Sequence, residues 1–575
     1  MSSLPWIKHA SLALLAVSLS ACAQSPSLLP AKSSSVRVSE TLPLPPARQG
    51  LTSQVLYQFL LGEIAGQRGE LKLSAEAYAD LAVRTRDARV AKRATEVALY
   101  ARMSQLALKN AMLWQELEPN SPKALQTLST LMIGAGRLRE SRPYLDAWIK
   151  TGQGGAVFLQ LHSLFTRQKD KNAVHDLVSE LATAYPSYPE ARFAVAQTAW
   201  NAGKGAKALA ELDETMRLKP SWAPAPLFKA QILQQMQGEA AALTFLADYL
   251  ASAPREREVR LAYAKQLARA GRFAESKTQF ELLAQEMPGN PENFLAIGLI
   301  AMQTNDLDSA EASFTKALEL NHPDEGSVRF HLGQVAEARG RLDQALSWYQ
   351  SVIKGQQKLD AHLRVAVIMG KQGRVADALQ WLSNLEASDD DDRVKIVQAE
   401  AQIMRDAGNF DGAVAAFSKA LEKMPDSPDL LYDRAMAAEK VNRLDMLESD
   451  LRHLIVLKPN YAHAYNALGY TLADRTSRLT EALELIEKAL SLAPDDPFIQ
   501  DSMGWALFKS KRYAEAAVML RHAHAAQPDP DIAAHLGEAL WMNGEKDEAR
   551  RIWSGSLQSH PDNASLRETV SRLKP

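Results

Sequence analysis

Residues 497–529 read PFIQDSMGWALFKSKRYAEAAVMLRHAHAAQPD, and this stretch decides the fold of the chain. Counted from Pro497, Gly504 takes position 8 of the unit and Ala516 takes position 20. Apolar residues fill the helical spacings between them, which predicts two amphipathic helices joined by a turn. Proline cannot continue a helix, so Pro528 is expected to end the second one. The same pattern precedes and follows this stretch, so we predict that most of the chain repeats one unit.

Copies of this unit recur every 33–36 residues from about residue 55 onward, which indicates an array of stacked helical hairpins. Small residues at positions 8 and 20 let the two helices approach closely, and a large residue at position 24 fills the space between units. The unit that starts at Pro428 has Leu447 at position 20, where a small residue is expected, so we predict a splayed hairpin there. The clearest copies begin at Pro189, Pro291, Gly326, Val394, Ala462, Pro497 and Pro530.

Glycines mark two positions of the unit. Glycine in the turn between the helices suits the left-handed conformation that commonly ends a helix. The turn glycines are Gly203, Gly271, Gly340, Gly373, Gly408 and Gly544, and the glycines at position 8 are Gly298, Gly333, Gly469, Gly504 and Gly537.

The composition limits the class of protein. At 575 residues the chain is too long for one compact core, which predicts several domains or a repeat array. Lys+Arg 66 against Asp+Glu 68 gives a formal net charge of −2, so no general attraction to nucleic acid or to an anionic membrane surface is implied. Cys22 is the one cysteine, which excludes an intrachain disulfide and a cysteine zinc cluster.

Residues 1–21 have the pattern of a secretion signal, with an apolar stretch too short to span a membrane. The residues Leu19-Ser20-Ala21-Cys22 resemble the lipobox of bacterial lipoproteins, which implies cleavage before Cys22 and lipidation of its thiol. The alternative is an ordinary signal peptide with an incidental cysteine. Ala23 follows the cysteine where Asp would resemble an inner-membrane retention signal, so the outer membrane is favoured. Residues 22–50 are rich in Ser, Pro and Ala and are predicted to form a flexible tether that spans roughly 30 Å.

The repeated unit resembles the tetratricopeptide repeat, a helix-turn-helix family with a period of about 34 residues. The resemblance is loose over residues 51–187, which we interpret as divergent hairpins, and specific over residues 188–563. Residues 564–575 are predicted to form a capping helix and tail. The implied fold is all-α, a right-handed superhelical solenoid of about fifteen helical hairpins with a concave inner face.

No residue pattern indicates a catalytic or metal site. His522 and His524 are two apart on a helix, so they point to different sides. Asp389–Asp392 lack the alternating spacing of a calcium loop, and we expect a solvated loop between repeats there. The run 203–205 lacks the phosphate-loop pattern, and the basic run 84–93 is typical of a solvated helix face. We therefore predict no enzyme activity, no metal, no cofactor, no small-molecule substrate and no nucleic-acid partner.

Two neighbouring units suggest a protein-binding groove. In the family that the repeat resembles, positions 2, 5, 9 and 12 of the first helix tend to face the concave surface. A polar residue at position 5 beside aromatic residues at positions 9 and 12 can bind a peptide backbone while it buries apolar side chains. The alternative is that these residues only pack neighbouring helices. The candidate residues are Asn466, Tyr470, Asp501, Trp505, Phe508 and Trp541.

The lipobox, the Pro-rich tether, the hairpin array and the motifs NALGY (466–470) and DSMGW (501–505) together resemble proteobacterial outer-membrane lipoproteins built of these repeats. Length and layout are most similar to the lipoprotein partner of a periplasmic carboxyl-terminal processing protease. That resemblance implies an adaptor that is lipid-anchored in the outer membrane, faces the periplasm, and presents substrates such as peptidoglycan hydrolases to a serine protease. The alternative is a structural scaffold for an envelope export or outer-membrane assembly complex.

Overall fold

The computed structural model describes residues 52–151 and 154–573, so Cys22, the predicted signal and the predicted tether lie outside the described residues. The described residues form thirty-one α-helices, one 3₁₀ turn at Arg139–Ser141 and no strand. They fall into two compact units, the first of which ends at Leu320 while the second begins at Asn321.

The first unit contains sixteen helices, α1 to α16. In chain order they are Ser53–Gln67, Leu71–Thr85, Ala88–Tyr100, Ser104–Leu117, Pro122–Gly134, Arg142–Lys150, Gly154–Phe165, Lys171–Thr183, Pro189–Asn201, Gly205–Leu218, Pro224–Gln237, Glu239–Ser252, Arg257–Arg269, Phe273–Glu286, Pro291–Gln303 and Leu307–Glu319.

The second unit contains fifteen helices, α17 to α31. In chain order they are Glu325–Ala338, Leu342–Gln350, Lys358–Lys371, Val375–Ser383, Asp390–Asp406, Phe410–Leu421, Pro428–Lys440, Leu444–Leu457, Ala462–Arg475, Leu479–Leu492, Pro497–Lys509, Tyr513–Ala526, Pro530–Asn543, Lys546–Ser559 and Ala564–Leu573.

Successive helices pair into hairpins, eight in the first unit and seven in the second, and α31 packs on the last of them. The described residues therefore contain fifteen hairpins, and the predicted all-α array of about fifteen hairpins is confirmed. Within each unit, helices in close contact are neighbours or next-but-one neighbours along the chain. Such an array has no single central core, and its stability is close to a sum of local terms.

The predicted turn glycines adopt the left-handed conformation. All six have φ between 71° and 93°. In the hairpin of residues 497–529 the same place is taken by Lys511, with φ of 63°, which the sequence did not indicate.

The glycines at position 8 receive the large side chains at position 24. A Cβ built on Gly298 would lie 2.5 Å from a ring carbon of Phe314, and one on Gly333 would lie 2.5 Å from a ring carbon of Tyr349. Both rings are fully buried. The position-24 residue therefore lies over the glycine of its own hairpin, where the absence of a side chain makes room for it.

The prediction that Leu447 would splay its hairpin was wrong, because α23 and α24 pack closely. Leu447 is buried opposite Ala435, the small residue at position 8. The Arg434 guanidinium also donates to the Asp450 carboxylate at 2.6 and 2.7 Å, which ties the two helices together.

The open hairpin is instead α7–α8. These two helices make almost no close backbone contact with each other, and each packs on α9. The side chains of Phe158, Phe165 and Val174 are buried in one cluster, and their bulk occupies the space that small residues leave free in other hairpins.

Asp389–Asp392 were expected in a loop, but they begin α21. The Asp389 carboxylate accepts a hydrogen bond from the backbone N–H of Asp392 at 2.9 Å, as an N-cap residue does. The other three carboxylates lie in the first turn, where the helix dipole favours negative charge.

Candidate protein-binding face

The six predicted binding residues lie on three successive first helices of the second unit. Asn466 and Tyr470 lie on α25, Asp501, Trp505 and Phe508 on α27, and Trp541 on α29. The spacing of four residues places the polar and aromatic side chains of α25 and of α27 on one face of each helix.

Trp505 is the centre of a stack of rings. Its indole lies parallel to the ring of Phe508, with centroids 5.0 Å apart and an interplanar angle of 12°. On the other side it stacks on the imidazole of His535 from α29, with centroids 4.2 Å apart. The indole N–H donates to Asp474 Oδ1 at 3.1 Å. Trp505 is only 8% exposed, so most of its surface packs helices together.

Asp501 and His535 form an ion pair between α27 and α29. The imidazole Nδ1 donates to the two carboxylate oxygens at 2.9 and 3.1 Å. Burial lowers the pKa of His535, but the charge and hydrogen bond of Asp501, with the charges of Asp531 and Glu538, raise it above its ordinary value. The pair therefore favours the protonated imidazole.

Tyr470 extends the stack toward α25. Its ring lies 6.4 Å from that of His535, and its side chain is half-buried. We call the side chains of Tyr470, Trp505, Phe508 and His535 the aromatic face. Burial raises the pKa of the Tyr470 hydroxyl, and nearby carboxylates raise it further; these belong to Asp474, Asp501, Glu439 and Asp531.

Asp474 anchors the indole and carries a charge of its own. Burial raises the pKa of Asp474, but the hydrogen bonds from Trp505 and Lys509 and the charges of Lys509 and Arg475 lower it overall. The Lys509 Nζ atom lies 3.1 Å from Asp474 Oδ1 and 4.9 Å from the centroid of the Trp505 ring.

Trp541 belongs to a different contact. Its ring lies 5.9 Å from that of Trp553 on α30, and Lys546 Nζ lies 5.0 Å from its centroid. In the described part of the chain no ring contact joins Trp541 to the aromatic face. Asn466 lies one helical turn from Tyr470, and its Oδ1 atom is buried with no hydrogen-bond donor.

Sequence reasoning missed His535 and Asp474. His535 lies 34 residues after Asp501, whereas the two units begin 33 residues apart, so it does not take the equivalent position and the repeat pattern does not indicate it. Asp474 lies 31 residues before Trp505, off the period, and only the side-chain geometry shows its role.

The burial of these residues distinguishes those that pack neighbouring helices from those that a partner can contact. Asp501 and Trp505 are each 8% exposed and pack helices. Tyr470 and Phe508 are half-buried and keep an accessible edge, and Phe498 at the start of α27 is 54% exposed. A partner could therefore reach the edges of the aromatic face, and the binding role stays a prediction.

Across residues 52–151 and 154–573, no group of three or more His, Cys, Asp or Glu side chains is arranged to hold a metal ion. None of the helices in these ranges combines the length and apolar character needed to cross a membrane.

Models of the tetratricopeptide repeat match residues 295–360, 399–445 and 448–497, and a second model of this repeat matches residues 507–573. The TPR repeat-containing protein PA4667 of Pseudomonas aeruginosa is 34% identical over 536 residues, which cover 93% of this chain and 90% of that protein.

Two further proteins match a smaller part of this chain. Human protein O-mannosyl-transferase TMTC1 is 23% identical over 212 residues, 36% of this chain, and the match spans 24% of its own length. A solved structure of a tetratricopeptide repeat protein from Parabacteroides merdae is 16% identical, with a TM-score of 0.34, and the match covers 49% of this chain and 97% of that one.

Proposed function

Because this chain belongs to the tetratricopeptide repeat family, a family of protein-interaction scaffolds, we propose that it is a non-catalytic, membrane-anchored adaptor. In this proposal it binds a periplasmic carboxyl-terminal processing serine protease and presents protein substrates, such as peptidoglycan hydrolases, for degradation. The protease supplies the chemistry, and the adaptor raises the local concentration of substrate at the protease.

The aromatic face is the observation that carries the proposal. Accessible edges of Tyr470 and Phe508 flank a buried, rigid indole, and polar groups surround them. Aromatic residues in a fixed setting with a polar rim are the usual anatomy of a binding hot spot. The stack on His535 and the hydrogen bond to Asp474 hold Trp505 in place, so little side-chain entropy is lost when a partner binds.

An adaptor needs a second contact surface, and α1 offers one. Five large apolar side chains of this helix are between 42% and 62% exposed. Exposed apolar surface of this kind marks interaction sites. The residues are Leu56, Tyr57, Phe59, Leu60 and Ile64, and they belong to the first unit, whereas the aromatic face belongs to the second.

We place the adaptor at the outer membrane, on its periplasmic side. In this proposal residues 1–21 are removed as a signal peptide, the thiol of Cys22 carries the lipid, and residues 22–50 form the tether. Residues 51–187 and 188–563 carry the hairpins, and residues 564–575 cap the array. The lipid would confine the adaptor to the membrane surface, where a flexible tether of about 28 residues spans roughly 30 Å.

Capture with the lipidated, tagged chain in cross-linked cells tests this function. We expect a carboxyl-terminal processing protease and a peptidoglycan hydrolase among the captured proteins. Capture of an export porin or an outer-membrane assembly protein, without the protease, would support the structural scaffold and reject the adaptor.

Matched variants assign the capture to the aromatic face. Tyr470→Ala with Phe508→Ala removes the accessible edges and leaves the buried Trp505 and Asp501 in place. Val456→Ala with Val518→Ala is the control, since these side chains are 76% and 54% exposed on second helices of the same unit. We expect only the first pair to reduce capture. Equal capture by both folded variants would contradict a role for the face.

A further inference from the structure

Helix α1 exposes more large apolar side chains than any other helix of the described residues. Five of its side chains are between 42% and 62% exposed, whereas no other helix in residues 52–151 and 154–573 has more than two exposed side chains of this kind. We call these five, Leu56, Tyr57, Phe59, Leu60 and Ile64, the α1 face. An apolar patch of this size marks a surface that contacts another molecule or segment.

The opposite side of α1 packs inside the chain. Gly62 and Ala65 are buried there, and the Ser74 hydroxyl of α2 donates to the Gly62 carbonyl at 2.7 Å. A Cβ built on Gly62 would lie 2.9 Å from a ring carbon of Tyr78, so α2 lies as close to α1 as it can. A helix with apolar side chains all round is normally covered all round. The α1 face is the side that the described helices leave exposed.

The spacing of residues along the α1 face indicates that a helix covers it. Ser53, Tyr57, Leu60, Ile64 and Gln67 follow one another at alternating steps of four and three residues, and all of them are exposed. This is the spacing of the a and d positions that meet a neighbouring helix in a coiled coil. The apolar residues take the middle of this seam and the polar residues its two ends, so the seam fits one helix of similar length.

The α1 face has no charge left to pair. Glu63 is the only charged residue of α1, and its carboxylate accepts a hydrogen bond from the Tyr78 hydroxyl and lies 3.5 Å from the Arg93 guanidinium. Two copies of the face can therefore meet without repulsion between like charges. A partner recognised by its charge would find no counter-charge on this face.

The position of Leu60 makes the face complementary to itself. Leu60 is the middle residue of Ser53–Gln67, with Tyr57 before it and Ile64 after it. Two antiparallel copies related by a two-fold axis near Leu60 therefore place Tyr57 of each copy beside Ile64 of the other. Antiparallel helices also bring opposite ends of their dipoles together.

The exposed area is sufficient for a reversible pair. Large apolar side chains each have roughly 200 Å² of surface, so the exposed fractions of the α1 face amount to roughly 500 Å² per chain. Two copies would bury roughly 1,000 Å², which lies at the lower limit of specific interfaces. On a membrane surface, where the proposed lipid anchor confines the chains, the local concentration would favour the pair.

We propose that α1 pairs with α1 of a second copy of this chain, antiparallel, with Leu60 near the two-fold axis. Such a pair carries two aromatic faces, so that one copy can hold the protease while the other holds the substrate. This division of roles rests on the proposed function, and the pairing names a second copy as what the second contact surface of the adaptor binds. The pairing itself follows from the α1 face and does not depend on the identity of the protease.

Sedimentation velocity tests the pairing. The chain from residue 22 onward carries Cys22→Ser, so that no lipid is attached, and we expect its sedimentation coefficient to rise between about 1 and 500 µM. Leu60→Glu places two carboxylates at the axis and should weaken association at least about tenfold. The matched control is Val456→Glu, at a side chain that is 76% exposed on α24, and it should associate as the parent chain does. An equal effect of the two substitutions would contradict pairing through α1.

Cross-linking tests the antiparallel arrangement. In the Cys22→Ser chain, Tyr57→Cys or Ile64→Cys supplies the only thiol. When the two variants are mixed and oxidised with copper phenanthroline, we expect the disulfide between positions 57 and 64 to form faster than the disulfides between like positions. The reason is that only residues that face each other come within disulfide distance. Faster cross-linking between like positions would overturn the antiparallel pair.

Three other results would overturn the inference. They are a chain that stays monomeric throughout, a monomer that pairs only after residues 22–50 are removed, and a monomer that instead floats with vesicles of phosphatidylethanolamine and phosphatidylglycerol. The second result would assign the α1 face to a segment of the same chain, and the third would assign it to the membrane.

Stimulation of the protease, measured alongside, separates this inference from the adaptor function. Pairing through α1 without stimulation of the protease rejects the adaptor alone. Stimulation by a chain that stays monomeric rejects the present inference alone.

Discussion

Gly504 shows how a single residue sets the distance between two helices. A Cβ at this position would overlap the side chain of Leu520 across the hairpin of α27 and α28. We expect Gly504→Ala to destabilise this hairpin by about 1–3 kcal/mol, because the packed side chain must move. Hydrogen exchange of the α27 and α28 amides measures the local free energy of opening.

Gly555 is the matched control for this substitution. It lies inside α30, and a Cβ built on it meets no atom within 4 Å. Because alanine forms helices better than glycine, we expect Gly555→Ala to stabilise α30 by about 0.5–1 kcal/mol. Loss of stability in both variants would show that space at position 8 is not the reason for glycine there.

His535 makes the stability of the aromatic face depend on pH. Its pKa is raised in the folded chain, so its contribution to stability is fully present below the unfolded value of about 6.5 and is lost as pH rises through the folded value. We expect hydrogen exchange in α27 and α29 to accelerate from about pH 6.5 upward by more than the intrinsic rate increase.

His535→Gln should reduce that excess acceleration, because glutamine does not titrate. His560→Gln is the control, since His560 is exposed at the end of the last hairpin. An unchanged pH dependence in His535→Gln would mean that the ion pair with Asp501 contributes no free energy.

The sequence predicted the residues that recur at fixed positions of the unit. It did not predict the residues that connect side chains of different units. Gly298 and Gly544 follow directly from spacing, because backbone geometry demands glycine or a small residue at fixed positions. Trp505 was also found, as an aromatic residue at position 9. Its partners Asp474 and His535 depend on side-chain directions between different helices, and a one-dimensional pattern does not contain these.

Among the helices, α23 and α24 show that one large residue need not open a hairpin. The Asp450 and Arg434 side chains are 3% and 19% exposed, and they bind through two hydrogen bonds. Asp450→Ala would leave the guanidinium without its counter-charge, so we expect a loss of about 3–5 kcal/mol in the stability of this hairpin. Local hydrogen exchange of α23 and α24 measures it.

A double variant separates the pair from the rest of the hairpin. Arg434→Met with Asp450→Leu removes both charges and keeps apolar volume, and replacement of this kind is often neutral. We therefore expect the double variant to be more stable than Asp450→Ala. A double variant as unstable as the single one would show that packing around Asp450, rather than the uncompensated charge, determines the loss.

The sequence did not predict which hairpins are closely packed and which are open, because the volume of the packed side chains determines this. Leu447 fits because Ala435 opposite it is small, whereas Phe158, Phe165 and Val174 together separate α7 from α8. A sequence pattern scores each position separately, and these outcomes depend on the summed volume of residues from two helices.

At the scale of the whole molecule, a substitution that destabilises one hairpin should have a local effect on stability. Each hairpin packs on its neighbours, so a destabilised hairpin weakens those beside it and little else. We expect Gly504→Ala to accelerate hydrogen exchange in α25 to α30 and to leave α1 to α16 unchanged. Gly298→Ala, in which the new Cβ would meet Phe314, should accelerate exchange in α13 to α16 and leave α25 to α30 unchanged. Uniform acceleration along the chain in either variant would indicate a single cooperative unit.

The rate of substrate degradation in a purified system tests the adaptor function most directly. The components are the chain, a carboxyl-terminal processing protease and a peptidoglycan hydrolase. We expect no cleavage by the chain alone, slow cleavage by the protease alone, and faster cleavage when both are present. Tyr470→Ala with Phe508→Ala should remove most of the acceleration. Cleavage by the chain after contaminating proteases are removed, or an unchanged rate when the chain is added to the protease, would contradict the adaptor function.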